Sequence, residues 1–182
     1  MPLSDPTPPL PLHLGQGSLT EVSLEEVYRR YCRYVAAIIV RLDGRASDVD
    51  DLVQDVFVEA ASGIERLRDP EAIRGWLATI AVRVVRRRLR ARRIWRFLGL
   101  DRPLEPNQLV DSAASPMDRL LLRSVYRVLD DMPTEDRIAF CLHTIEGETV
   151  EAVAEHCGCT YATAKRRVAR AQRMIEERLS DV

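Results

Sequence analysis

Residues 149–179 read TVEAVAEHCGCTYATAKRRVARAQRMIEERL, and this stretch decides the fold of the C-terminal part of the chain. Val150, Val153, Ala154 and Cys157 recur at three- and four-residue spacings, which predicts a short helix with one inward face. Gly158 permits a tight turn, and Thr160 is placed to cap a second, longer helix. On that helix Ala164, Val168, Ala171, Ile175 and Leu179 form an apolar stripe. Lys165, Arg166, Ala169, Arg170 and Arg173 fall on the opposite side. Two helices so joined make a helix-turn-helix. A helix buried on one face and cationic on the other can enter a major groove, where arginine can read guanine. A solvated charged face is the plainer reading of such a run. The turn, the cap and the segregated faces together favour DNA binding.

Breaks near Met132-Pro133 and Glu146-Gly147 divide residues 117–182 into about four short helices. Between Phe97 and Pro116 periodicity disappears, and Gly99, Pro103, Pro106 and Asn107 mark residues 98–116 as a flexible linker. Residues 21–97 are again helical in pattern. Leu24, Val27, Tyr28, Tyr31, Val35, Ile38, Ile39 and Leu42 predict a first helix ending at Gly44. Val49, Leu52, Val53, Val56, Phe57 and Ala60 predict a second, capped by Ser47 or Asp48 and closed by Gly63. Asp69-Pro70 signals a third N-terminus, with proline in the first helical position. Ile73, Trp76, Leu77, Ile80, Ala81 and Val84 then form its buried face. Residues 1–20 carry Pro2, Pro6, Pro8, Pro9 and Pro11 and read as a disordered tail. The expected fold class is all-α, with two small helical domains at 21–97 and 117–182.

A formal net charge of −1 conceals a strong segregation. Acidic residues crowd between Asp43 and Glu59, whereas no Asp or Glu occurs between Ala72 and Leu100. The acid-free stretch holds Arg83, Arg86, Arg87, Arg88, Arg90, Arg92, Arg93 and Arg96, which point around the whole helix. They cannot all be buried, so this end is expected to leave the core and lie against a polyanion. Trp95 and Phe97 could stack on bases, although packing on core or linker is the simpler expectation. No clean apolar face accompanies the charge, which weighs against a membrane-surface helix. No run is apolar enough to span a bilayer and no signal peptide is recognisable, so a reduced, cytoplasmic protein is expected.

Asp48, Asp50, Asp51, Asp55 and Glu59 carry the opposite field. The Asp50-Asp51…Asp55 cluster is similar to the magnesium-binding carboxylates of isoprenoid synthases, but its third carboxylate is one residue too distant and no second acidic motif follows. A basic partner surface is the sharper reading and a solvated face the commoner one. Cys141, His143, His156, Cys157 and Cys159 lack the spacing of a zinc knuckle, and buried thiols are expected. No phosphate-binding glycine loop, metalloprotease motif or serine elbow occurs, so no catalytic residue, metal or cofactor is assigned.

Three segments now line up. Asp48-Val-Asp-Asp-Leu-Val-Gln-Asp-Val-Phe57, then Gly75-Trp-Leu-Ala-Thr-Ile-Ala81 with its arginines, and Thr163-Ala-Lys-Arg-Arg-Val-Ala-Arg-Ala171 resemble the extracytoplasmic-function sigma factors of bacterial RNA polymerase. Met132-Pro133, Glu146-Gly147 and Val150-Glu-Ala-Val-Ala-Glu155 extend the likeness, which covers roughly Leu24 to Leu179. The resemblance implies that Asp48, Asp51, Gln54 and Asp55 dock on the β′ subunit. It implies that Trp76, Arg83, Arg86, Arg87 and Arg90 melt and read the minus-ten promoter element. Thr163, Lys165, Arg166, Ala169 and Arg170 would bind the minus-thirty-five element, with Arg166 and Ala169 facing bases.

The partners so implied are core RNA polymerase through β′ and β, promoter DNA and an anti-sigma factor, with no membrane insertion. The family often has asparagine and aspartate where this chain has Arg83 and Arg87. Two arginines four residues apart share a face, which implies a looser and more salt-dependent grip on the downstream element. The expected protein directs polymerase to promoters and assists DNA opening without covalent chemistry. The alternative is a stand-alone helix-turn-helix regulator, which would need neither the acidic helix nor the acid-free arginine segment.

Overall fold

The computed structural model describes residues 23–45, 47–67, 69–100 and 115–180; the tail at 1–20 and most of the 98–116 linker lie outside them. Among the described residues every regular element is helical. Helix α1 (Leu24–Asp43) starts where Ser23 Oγ accepts the Glu25 N–H at 3.2 Å, and it ends at Gly44. Helix α2 (Val49–Ala61) follows Asp48, but no side chain caps it, because the Asp48 carboxylate is drawn to Arg88 instead. The third N-terminus also differs from expectation. The Asp69 carboxylate accepts the Glu71 N–H at 2.9 Å, and Pro70–Ala72 forms a 3-10 turn. An aspartate bonding two residues ahead tightens the chain, so α3 (Ile73–Phe97) begins only after that turn.

Helix α4 (Pro116–Asp131) opens on a reciprocal capping box between Ser115 and Asp118. After Met132-Pro133, α5 (Thr134–Phe140) runs into a π turn over Cys141–Ile145, where the Glu146 N–H reaches Cys141 O. Helices α6 (Val150–Cys157) and α7 (Tyr161–Leu179) are the expected helix-turn-helix. Thr149 caps the first and Thr160 the second. Gly158 turns at φ 62°, and the Cys159 N–H closes the corner on Ala154 O at 2.9 Å.

Helices α1, α2 and α3 pack on one another around Val35, Ile39, Leu42, Val56, Leu77 and Ile80. Leu129, Ile138, Leu142, Val153, Ala164 and Val168 form the corresponding core of α4 to α7. The two groups also touch, with α3 lying against α5 and α6. That contact overturns the expectation that the arginine end of α3 leaves the core. Leu89 and Arg92 are buried, and the Arg92 guanidinium grips the buried Asp43 carboxylate at 2.6 and 2.7 Å. The physical reason is that α4 and α5 bring their own carboxylates to α3, so its charge is met within the chain. Trp95 and Phe97 are exposed rather than packed on a core.

Gly44 sits at φ 71° against the Tyr126 ring, and a Cβ there would stand 2.4 Å from Tyr126 Cδ1. Left-handed strain and displacement of the ring add up. Gly44→Ala is therefore expected to cost about 2 kcal/mol of unfolding free energy in denaturant titration. A loss below about 0.5 kcal/mol, the range of an ordinary surface change, would mean that the ring yields freely.

Candidate nucleic-acid and partner interfaces

One turn of spacing sets the acidic face. With Val49, Leu52, Val53, Val56, Phe57 and Ala60 buried, α2 turns Asp50, Asp51, Gln54 and Asp55 outward. Asp51, Gln54 and Asp55 stand three and four residues apart on one stripe, and among the described residues Asp50, Asp51 and Asp55 take part in no ion pair. Val58 continues that stripe and is exposed. Beside it, the exposed Tyr28 ring meets Phe57 edge-on at 4.8 Å between centroids. Sequence reasoning passed over Val58, although the same spacing that found Asp51 and Asp55 also reaches it, and it placed Tyr28 in the apolar stripe of α1, whereas the ring is exposed at the edge of that stripe. Asp48 is separate from this group. It is half-buried at the helix start; burial alone would raise its carboxyl, but the Arg88 guanidinium outweighs burial and holds the group below its ordinary value.

The cationic face of α3 is largely paired within the chain. Arg83 and Arg87 do share a face, and each reaches the Glu59 carboxylate at 3.1 Å. Arg86 lies 3.1 Å from Glu135 and donates to Cys157 O at 3.1 Å. Arg90 reaches the same Glu135 at 2.9 Å. Trp76 is half-buried, packed against the core and over Gly63, where a Cβ would come within 3.0 Å of the indole.

Helix α7 divides its cations differently. Lys165, Arg166 and Ala169 are exposed, while Thr163 is half-buried and its N–H bonds the Thr160 hydroxyl at 3.3 Å. Arg170 is fixed by two bonds, 2.5 and 2.6 Å long, to the fully buried Asp136 carboxylate on α5. That partner raises the Arg170 pKa above its ordinary value. Arg166 and Arg170, adjacent on the sequence stripe, are therefore unlike in the fold: one is loose and one is anchored.

The thiols behave as small apolar side chains. Burial pushes Cys141 up to about 12 and Cys157 up to about 11, so both stay protonated near neutral pH. His156 Nδ1 is 2.9 Å from Thr79 Oγ1, and His143 Nδ1 is 2.8 Å from Glu148 O. Among the described residues no group of His, Cys, Asp and Glu is arranged to hold a metal ion, and no helix is long and apolar enough to cross a membrane.

An acidic face and an arginine-rich helix in one helical group, joined to a helix-turn-helix group, is the arrangement of a sigma factor. Sigma-70 region 2 matches residues 27–94, and sigma-70 region 4 matches residues 122–175. The chain belongs to the extracytoplasmic-function sigma factors of that family, which direct RNA polymerase to promoters. It is 28% identical over 166 residues to the ECF RNA polymerase sigma-E factor of Haemophilus influenzae, covering 82% of this chain and 84% of that one. It is also 28% identical over 158 residues to the ECF sigma factor SigC of Mycobacterium tuberculosis, covering 87% and 82%. Its fold is like that of sigma factor RpoE of Bartonella quintana, solved in complex with the anti-sigma factor NepR. The TM-score is 0.63 at 23% identity, over 86% of this chain and 96% of that chain.

Proposed function

We propose that this sigma factor docks on the polymerase β′ subunit through the α2 stripe of Asp51, Gln54 and Asp55, with Val58 as its apolar end. The observation that carries the reading is one exposed stripe on α2, in which Asp51, Gln54 and Asp55 stand beside the exposed Val58 and the two carboxylates take part in no ion pair among the described residues. Asp48 serves by fixing Arg88 at the base of the stripe rather than by direct contact. Residues 21–97 form the docking and minus-ten domain, 98–116 the connection, and 117–182 the minus-thirty-five domain. The α3 face of Arg83, Arg86, Arg87 and Arg90 grips the phosphates of the opened strand, with Trp76 as a supporting side chain. Lys165, Arg166 and Ala169 enter the upstream major groove, where the exposed guanidinium of Arg166 can pair with a guanine edge. Thr163 and Arg170 support that helix, and β contacts the helix-turn-helix group.

The protein is an initiation factor that acts by binding, not an enzyme, and it works in the cytoplasm beside polymerase. The solved relative bound to an anti-sigma factor supports a similar antagonist here. A stand-alone regulator has no use for a region 2 domain, which residues 27–94 match.

The two arginines of α7 supply the test. In holoenzyme binding to a library of upstream elements, Arg166→Ala should cost about 1–3 kcal/mol and relax preference at one position. Arg170→Ala should weaken all sequences alike and also lower thermal stability, because it leaves the buried Asp136 without its partner. Uniform loss in both variants, with no change of preference anywhere, would remove the base-reading role from Arg166.

A further inference from the structure

Arg170 lies one turn beyond Arg166 on α7, yet its guanidinium is tied to α5. Its Nε donates to Asp136 Oδ2 at 2.5 Å and its Nη2 to Asp136 Oδ1 at 2.6 Å. Those two donors form the side edge of the planar group, so two parallel bonds fix the orientation of the whole fork. The partners differ sharply in access, for the Asp136 side chain is 1% exposed and that of Arg170 is 55% exposed. The pairs Arg92–Asp43 and Arg137–Asp130 bury both of their ions. Here a carboxylate anchored in the core holds a guanidinium that faces solvent. The end edge of the fork, made by Nη1 and the second N–H of Nη2, stays open, and among the described residues it takes no further bond. Two parallel N–H groups on that edge match two oxygens of one phosphate. The neighbouring Lys165 and Arg166 are exposed and have no ion pair among the described residues, so neither is held in this way.

We infer that Asp136 is a positioning residue for promoter binding: it presents the end edge of Arg170 to one phosphate on the wall of the upstream groove. That single clamp sets the register at which Lys165, Arg166 and Ala169 meet the bases. The inference rests on the placement of α7 in that groove. Phosphate contacts fix orientation while base contacts carry the sequence, and a register must be held by something that does not itself move. A side chain already in its bound rotamer gives up less freedom on binding than a loose one. Asp136 and Arg170 together carry no net charge, so the pair adds little to long-range attraction and acts through the direction of its bonds. The sign of the effect separates the two. Neutralising Asp136 leaves Arg170 an unopposed cation, which by attraction alone tightens DNA binding, whereas loss of position weakens it.

The test titrates holoenzyme with promoter duplexes in which single phosphates of the upstream element are replaced by methylphosphonates, removing one charge at a time. The native chain should lose affinity at several positions. Asp136→Asn keeps the shape of the side chain, and the half-exposed Arg170 keeps water around its charge. This variant should bind the unmodified promoter about two- to tenfold more weakly, as expected when one long side chain must be ordered on binding. It should also lose its sensitivity at one phosphate and keep it at the others. Arg170→Ala should lose sensitivity at that same phosphate, and Asp136→Asn/Arg170→Ala should bind no more weakly than Arg170→Ala alone. A fold that is merely loosened does not single out one phosphate. Asp136→Asn binding as tightly as the native chain, or more tightly, overturns the inference. A weaker variant whose sensitivity is unchanged at every phosphate overturns it too, and assigns Asp136 to stability alone. A native chain indifferent to every methylphosphonate in the element overturns the groove placement of α7 itself.

Discussion

Replacing both Asp51 and Asp55 by lysine is expected to abolish binding to core RNA polymerase and leave the helical content unchanged. Both carboxylates are exposed and neither is held by an ion pair among the described residues, so the fold does not depend on them. Their removal costs α2 only part of a favourable interaction with its dipole, about 0.3–1 kcal/mol for the first-turn residue Asp51. Against a basic partner the consequence is much larger. Two attractive charges become two repulsive ones, and like charges placed opposite each other at an interface cost several kcal/mol. Binding of the native chain should also weaken as salt rises, because screening acts on the same pairs. Direct titration of fluorescent chain with core polymerase gives the answer. Unchanged affinity, with an unchanged helical signal, would place the polymerase contact elsewhere.

The helix-turn-helix was legible because every local signal agreed: the stripe through Ala164 and Val168, the turn at Gly158 and the cap at Thr160. The acidic stripe was legible for the same reason, since a helix with six buried positions leaves little choice for the rest. What the sequence concealed was the fate of the arginines. Arg92, Arg86 and Arg96 find their anions at Asp43, Glu135 and Asp130, all distant along the chain. No periodicity records such pairs. Arg170 shows the limit most sharply, because its place on the cationic stripe reads as a DNA contact while its partner, Asp136, lies 34 residues upstream on another helix. The 3-10 turn at Pro70–Ala72 was lost on a smaller scale, where an aspartate side chain outbid the proline signal for the first turn.

Arg92 and Asp43 also carry the largest expected effect on stability. Both are almost fully buried, and the Asp43 carboxylate accepts two bonds from Arg92 Nη2, at 2.6 and 2.7 Å. Arg92 Nη1 adds a longer bond of 3.3 Å to the Asp43 carbonyl, so one guanidinium both neutralises the side chain and caps the end of α1. Bringing these two ions out of water consumed much of their mutual attraction, and the pair by itself contributes little net stability. Breaking it is another matter. Asp43→Ala leaves a guanidinium buried without a counter-charge, and the expected loss is about 3–5 kcal/mol, a large fraction of the roughly 5–15 kcal/mol that holds a typical domain. The two expectations together make a sharper test than either. Asp43→Leu/Arg92→Met removes both charges, and it should recover most of what Asp43→Ala loses, since no orphaned ion remains. Urea titrations of the three chains measure both quantities. A single-variant loss below about 1 kcal/mol would mean that water reaches Arg92 on a small local opening. A double variant as unstable as the single one would instead assign the cost to the lost helix-end bond and to packing.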